Sequence, residues 1–215
     1  MGLRIKLVNR DRDYSGIELA LANRGKGMHD GVQIALAALP EAGRGVAIGA
    51  VAGSDERNYD GVLMALLSGV GMRMRGASLG ALASVGPRFL GLSMGGLVCK
   101  HKQVRGLMAS GLLSLVENDE QDEISPENNK PYVHGTAIST INAIVGEAKG
   151  LFVGALANYA TKLRGLQISA LYNGAGEDSK GLQIAPINYC GGRPWYSRFI
   201  PLMAFRTGKI KKNLI

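Results

Sequence analysis

Residues that carry chemistry are scarce in this sequence, and each scarcity excludes something. Two cysteines in 215 residues, Cys99 and Cys190, are too few for a disulfide framework. No uncharged apolar run reaches the ~18 residues of a membrane helix; the longest, such as 61–72, stop at about a dozen. The first ten residues include Arg4, Lys6 and Arg10 and lack the apolar stretch of a signal peptide, so a cytoplasmic location is expected. The sequence pattern shows no outward-facing aromatic girdles, which argues against a membrane barrel. The histidines His29, His101 and His134 share no ligand spacing with one another or with Cys99, so neither a zinc site nor a His-based catalytic site is expected. Glycine-rich turns at 27–31 and 91–96 are not framed by a strand, a turn and a helix with a following acid, which removes the dinucleotide fingerprint. No cofactor and no metal is expected.

Glycine is abundant: 31 residues, twice the usual ~7%. Its spacing carries the architecture. Gly2, Gly16, Gly31, Gly45, Gly61, Gly76, Gly91 and Gly106 recur at intervals of 14 to 16, and Gly135, Gly150, Gly165 and Gly181 resume the period after a gap of 29. With the glycine as position 0, aliphatic residues recur at position 1 (Ile17, Val46, Leu107, Leu166), position 3 (Ile34, Met94, Ile138, Ile184) and position 6 (Leu67, Leu112, Leu156, Ile187). Position 4 is small in every unit from the second to the twelfth, as in Ala35, Gly80, Ser139 and Gly154. Positions 1 and 3 alternate as a strand does, and the alternation breaks at the small site, where the backbone can turn a corner.

A unit of ~15 residues is too short for a helical hairpin and fits one coil of a β-solenoid, stacked on the next at about 4.8 Å. The expected fold is therefore all-β: a single domain over 1–215, a β-solenoid of about thirteen coils, the last beginning near Ser197. An antiparallel β-barrel is the alternative. Residues 117–131 fill the long gap with six acids, one base and two prolines, and read as an extruded acidic loop. Residues 195–215 read as a C-terminal cap and basic tail, with aromatics from Tyr159 to Phe205 sealing that end of the core. The asparagines Asn142, Asn158, Asn173 and Asn188 read as a hydrogen-bonded ladder at a bend.

The formal charge is +8, yet 117–131 alone carries −5, so the rest of the chain carries +13. Part of that charge is ordered. The residue before the glycine is basic at Arg44, Arg75, Arg105, Lys149, Arg164 and Lys180, with Asp30 and Asp60 interrupting the N-terminal half. Stacking would set Lys149, Arg164 and Lys180 on consecutive rungs, with Arg105 earlier in the same column, and like charges about 4.8 Å apart repel by roughly 1 kcal/mol even in bulk water. An anion relieves such a row, so these four are the candidate ligand-binding residues, extended by Lys209, Lys211 and Lys212.

The segments 148–158 (AKGLFVGALAN), 163–173 (LRGLQISALYN) and 179–189 (SKGLQIAPINY), with the closing 200–205 (IPLMAF), resemble the KGLQIGLINY-type units of bacterial surface-repeat proteins, a family named from leptospiral lipoproteins. The likeness is close over about 148–205 and looser over 2–116. It implies a repeat architecture, often at the cell surface, and supplies no catalytic residues. The expected function is a non-enzymatic scaffold or binding module that meets an anionic polymer or surface through the basic ridge, or a protein partner at the acidic loop. The alternatives are an enzyme acting on polysaccharide in a solenoid groove and a surface or outer-membrane repeat protein. The first needs paired carboxylates, which the repeats do not supply.

Overall fold

The computed structural model describes residues 2–9, 13–24, 27–39, 42–117 and 130–207. Among them the strands are β1 (Gly2–Asn9), β2 (Tyr14–Asn23), β3 (Met28–Ala38), β4 (Ala42–Gly80), β5 (Ala83–Gly95), β6 (Val98–Ser110), β7 (Leu113–Val116), β8 (Tyr132–Ser169), β9 (Tyr172–Ala175), β10 (Lys180–Cys190) and β11 (Phe199–Thr207). Every pairing described within β1–β10 is parallel and joins one repeat to the next. That is a β-solenoid of about eleven turns, and it excludes the antiparallel barrel, in which neighbouring strands would run in opposite directions.

The chain divides into two compact units, Met1–His101 and Lys102–Ile215. In the first, Gly2 pairs with Gly16, Gly16 with Gly31, Gly31 with Gly45 and Gly76 with Gly91. In the second, Gly106 pairs with Gly135 and Gly165 with Gly181. The direct pairing of Gly106 with Gly135 shows that the long gap is an insertion between two adjoining rungs. The acidic segment itself, 118–129, lies outside the described residues, as do the basic residues of 208–215. The strands β4 and β8 run for 39 and 38 residues, so the chain rounds its corners while staying extended.

The glycine column makes this possible. Its members from Gly16 to Gly181 hold φ between 123° and 148°, a region closed to residues with a Cβ. A Cβ on Gly31, Gly61, Gly150 or Gly165 would also press into the carbonyl oxygen of the column glycine one rung before. The small site at position 4 has a different cause. A Cβ on Gly80, Gly95 or Gly154 would run into the carbonyl of Ala83, Val98 or Ala157, three residues further on. Where serine stands instead, it bonds across the same corner: Ser139 Oγ donates to Ile141 O at 2.6 Å and Ser169 Oγ to Tyr172 O at 2.8 Å. Position 4 is thus the inside of a bend.

The interior is built from positions that no simple hydrophobic pattern marks. Two residues before the glycine and two after it point inward; in some rungs both are large, as with Tyr59 and Leu63, and in others a large side chain is met by a small one. Phe89 is matched by Ser93, Met74 by Ser78 and Phe152 by Ala148, all buried. The asparagine ladder is the third inner column, and it is fully buried. Asn142 Nδ2 donates to Asn158 Oδ1 at 2.7 Å, and Asn158 Nδ2 to Asn173 Oδ1 at 2.9 Å. Asn173 Nδ2 donates to Asn188 Oδ1 at 3.3 Å. The same amides also donate to Val153 O, Ile168 O and Ile184 O, so burial leaves them satisfied. The aliphatic columns at positions 1, 3 and 6 face outward instead: Ile34, Ile138, Leu156 and Ile187 are all exposed.

Residues from Ser197 onward do not begin a thirteenth coil. The strand β11 runs antiparallel along β10, with Leu182 opposite Phe205 and Ile184 opposite Met203. The register slips between Ala185 and Ile187, where β11 passes the corner with Leu202 at φ 63°. Arg206 closes this end. It is 6% exposed, and its guanidinium donates to Ala175 O and Gly191 O, both at 2.7 Å, and to Glu177 O at 3.2 Å. Of the aromatics expected to seal this end, Tyr159, Tyr196, Phe199 and Phe205 are exposed, while Tyr172 and Tyr189 are half-buried and Tyr189 packs on Phe199 with centroids 5.5 Å apart. An arginine does the sealing because the coil ends in backbone carbonyls, which need donors.

Candidate anion-binding ridge

Position −1 of the second unit forms one outward row: Arg105, His134, Lys149, Arg164 and Lys180. Arg105 is paired in register with His134, and Arg164 with Lys180. Lys149 takes its place between them because Gly150 stacks on Gly135 and Gly165 on Gly150. The four cations named from the sequence are all exposed. The row has one member that charge counting missed, the half-buried His134. Burial lowers its pKa, the nearby Glu147 works against that, and Lys149 and Arg105 add to the lowering.

Flanking groups hold two of the cations in place. Arg105 lies over the Tyr132 ring, 5.6 Å from its centroid, and Tyr132 packs on His134 with centroids 4.6 Å apart. Arg164 Nε is 3.0 Å from Glu147 Oε1; the pair is partly exposed, and a polyanion can compete for the arginine. The matching row of the first unit is of mixed sign, with Asp30 directly beside Arg44. Among the described residues the row of the second unit holds no acid, although His134 interrupts its cations between Arg105 and Lys149.

The first unit has different features. An open apolar groove of about 820 Å³ runs across its early rungs, with Ala20, Ala35 and Gly49 in its floor and Leu7, Leu21, Leu36 and Leu66 along one wall. Deeper in, the sequence-distant Ser78, Ser84, Ser93, Cys99 and His101 meet in the interior. Ser78 and Ser84 hydroxyls are 2.9 Å apart, Ser84 and Ser93 3.0 Å, and Ser93 Oγ lies 2.7 Å from His101 Nε2. His101 Nδ1 is 2.9 Å from Gly86 O, a carbonyl that only accepts. In the neutral ring Nδ1 therefore carries the proton. The ring and serine form a nucleophile–base geometry, but both are buried, which makes them part of the packing rather than a reactive centre. Cys99 and Cys190 are both buried thiols. Among the described residues no cluster of His, Cys, Asp or Glu could hold a metal ion.

Burial pushes His101 down to about 4, and the bond to Gly86 only partly offsets this. The unfolded chain, with a histidine near 6.5, then binds more protons than the folded one between pH 6.5 and 4. The stability from this site is complete above pH 6.5 and lost as pH falls toward 4, by about 3 kcal/mol. Urea unfolding at pH 7.5 and 4.5 reads it directly. His101→Gln should lose that much less on acidification, and an equal loss in both proteins would refute the assignment.

Comparison with known proteins adds no relative: no family model, curated protein or solved structure matches the chain. No helix among the described residues is long and apolar enough to cross a membrane.

Proposed function

We propose that the chain is a non-enzymatic repeat scaffold whose second unit binds an anionic polymer or surface through Arg105, Lys149, Arg164 and Lys180. The observation that carries this reading is the register. Parallel pairing places one basic residue on each of four rungs, all exposed, on the same edge. Lys149, Arg164 and Lys180 on consecutive rungs about 4.8 Å apart repel one another, with Arg105 past the His134 rung, and an anion lying along the row relieves that repulsion. The segments similar to the surface-repeat units, 148–205, fall within this unit, which agrees with a role at an interface.

The test is retention of the whole protein on heparin and on single-stranded DNA at low and high salt. Binding should weaken steeply with salt, and the double variant Arg164→Glu with Lys180→Glu should lower affinity by roughly a hundredfold, about 1–1.5 kcal/mol for each reversed charge. Salt-independent binding, or binding unchanged in the double variant, would remove the ridge as the working surface.

A further inference from the structure

We infer that the ridge face of the second unit docks on an anionic lipid surface, with its cations on the headgroups and the neighbouring aliphatic columns pressed toward the acyl chains. This inference rests on the ridge reading and names its partner. Immediately across the glycine column from the ridge stand position 1 (Leu107, Leu151, Leu166, Leu182) and position 3 (Ile138, Val153, Ile168, Ile184), all exposed or half-buried. A basic row bordered by two aliphatic rows is an amphipathic surface, the arrangement by which interfacial helices lie on membranes.

The closing strand shows that the apolar rows are more than a by-product of the repeat. β11 runs in the opposite direction and its sequence is not a repeat unit, yet it continues both rows. Phe205 stands beside Leu182 and is 67% exposed; Met203 stands beside Ile184 and is 62% exposed. Between them Ala204 is buried. Large apolar groups are thus added to the outer face where solubility alone would favour polar ones. Contiguous apolar patches beyond roughly a few hundred Å² mark interaction sites.

The occupant follows from having both features together. A soluble polyanion would cover the cations and leave the aliphatic rows wet. A second copy of the chain would bring a second set of cations to the same place. A bilayer with anionic headgroups answers the charge and the apolar area at once.

The experiment is sedimentation of the full chain with phosphatidylcholine vesicles, with and without phosphatidylglycerol, alongside heparin binding and analytical ultracentrifugation. Binding is expected to vesicles containing phosphatidylglycerol and not to phosphatidylcholine alone. Arg164→Glu with Lys180→Glu should weaken it roughly a hundredfold. Leu151→Ser with Phe205→Ser, uncharged and at exposed sites, should weaken it roughly tenfold while leaving heparin binding and Tm unchanged. Heparin binding without vesicle binding would overturn the lipid inference and leave the ridge reading standing. Loss of both would overturn both. Vesicle binding insensitive to the serine variant would overturn the docked apolar face, and so would a dimer that this variant dissolves in a protein that ignores vesicles.

Discussion

Gly165→Ala is expected to destabilise the protein by about 4 kcal/mol, a large part of the ~5–15 kcal/mol that holds a domain together. Gly165 sits at φ 147°, and an added Cβ would press into the carbonyl oxygen of Gly150 on the preceding rung. Neither atom can move alone, because both backbones are tied into the parallel ladder that continues from Gly165 to Gly181. The two costs therefore add: a strained backbone of about 1–3 kcal/mol and an overpacked contact of similar size. Position along the stack should matter as well. A solenoid gains its stability between neighbouring rungs, and the interface damaged at Gly165 has that rung, the Gly181 rung and the antiparallel β11 beyond it. Gly16→Ala meets the same kind of clash, with Gly2, but only β1 lies beyond it. It should peel that strand and cost less than half as much. Urea midpoints compare the two, with Ala155→Ser as an exposed control. A Gly165→Ala protein as stable as its parent would mean that the column is not under the constraint described.

Arg206→Met should cost a similar amount, about 4 kcal/mol, through a different mechanism. The variant keeps the apolar stem and removes the donors that satisfy Ala175 O, Gly191 O and Glu177 O. Hydrogen bonds from a charged group contribute about 1.5–3 kcal/mol each, and carbonyls left dry and unpaired add to the loss. Burial works against the guanidinium charge, lowering its pKa, and the nearby Cys190 partly offsets this. Arg206→Lys should recover only part of the stability, because a compact ammonium cannot span carbonyls that a planar fork reaches together. A second readout follows from the position of β11 on β10. Once β11 loosens, the edge of β10 is open to pairing with other chains, so the Met variant should also scatter light at concentrations where the parent does not. Unchanged stability together with unchanged scattering would show that the cap is held by other contacts.

These two effects differ in how far they can be read from the sequence. The glycine period, the break at position 4 and the asparagine column are legible because stacking repeats one local geometry at each rung. Any residue type demanded by that geometry then recurs at a fixed interval. The basic row is legible for the same reason, and the register of Arg164 with Lys180 places those residues side by side. The single His134 in that row was hidden because it breaks the charge pattern while keeping the position.

The all-β class, the coil, its period and the site of the insertion were determined by the sequence alone, since each follows from local backbone sterics repeated along the chain. Which side of the sheet faces inward was decided only by the tertiary structure. Period-two alternation separates two faces of a strand without naming the inner one. The narrow coil then takes in the stacked amides and the side chains two residues to either side of the column glycine, leaving Ile34, Ile138 and Leu156 outside. The meeting of Ser93 with His101 and the reach of Arg206 to Ala175 likewise belong to three dimensions. So does the reversal of β11, which ends the stack where the period alone would have added another coil. Such contacts join positions with no fixed interval between them, so no periodicity in the chain could announce them.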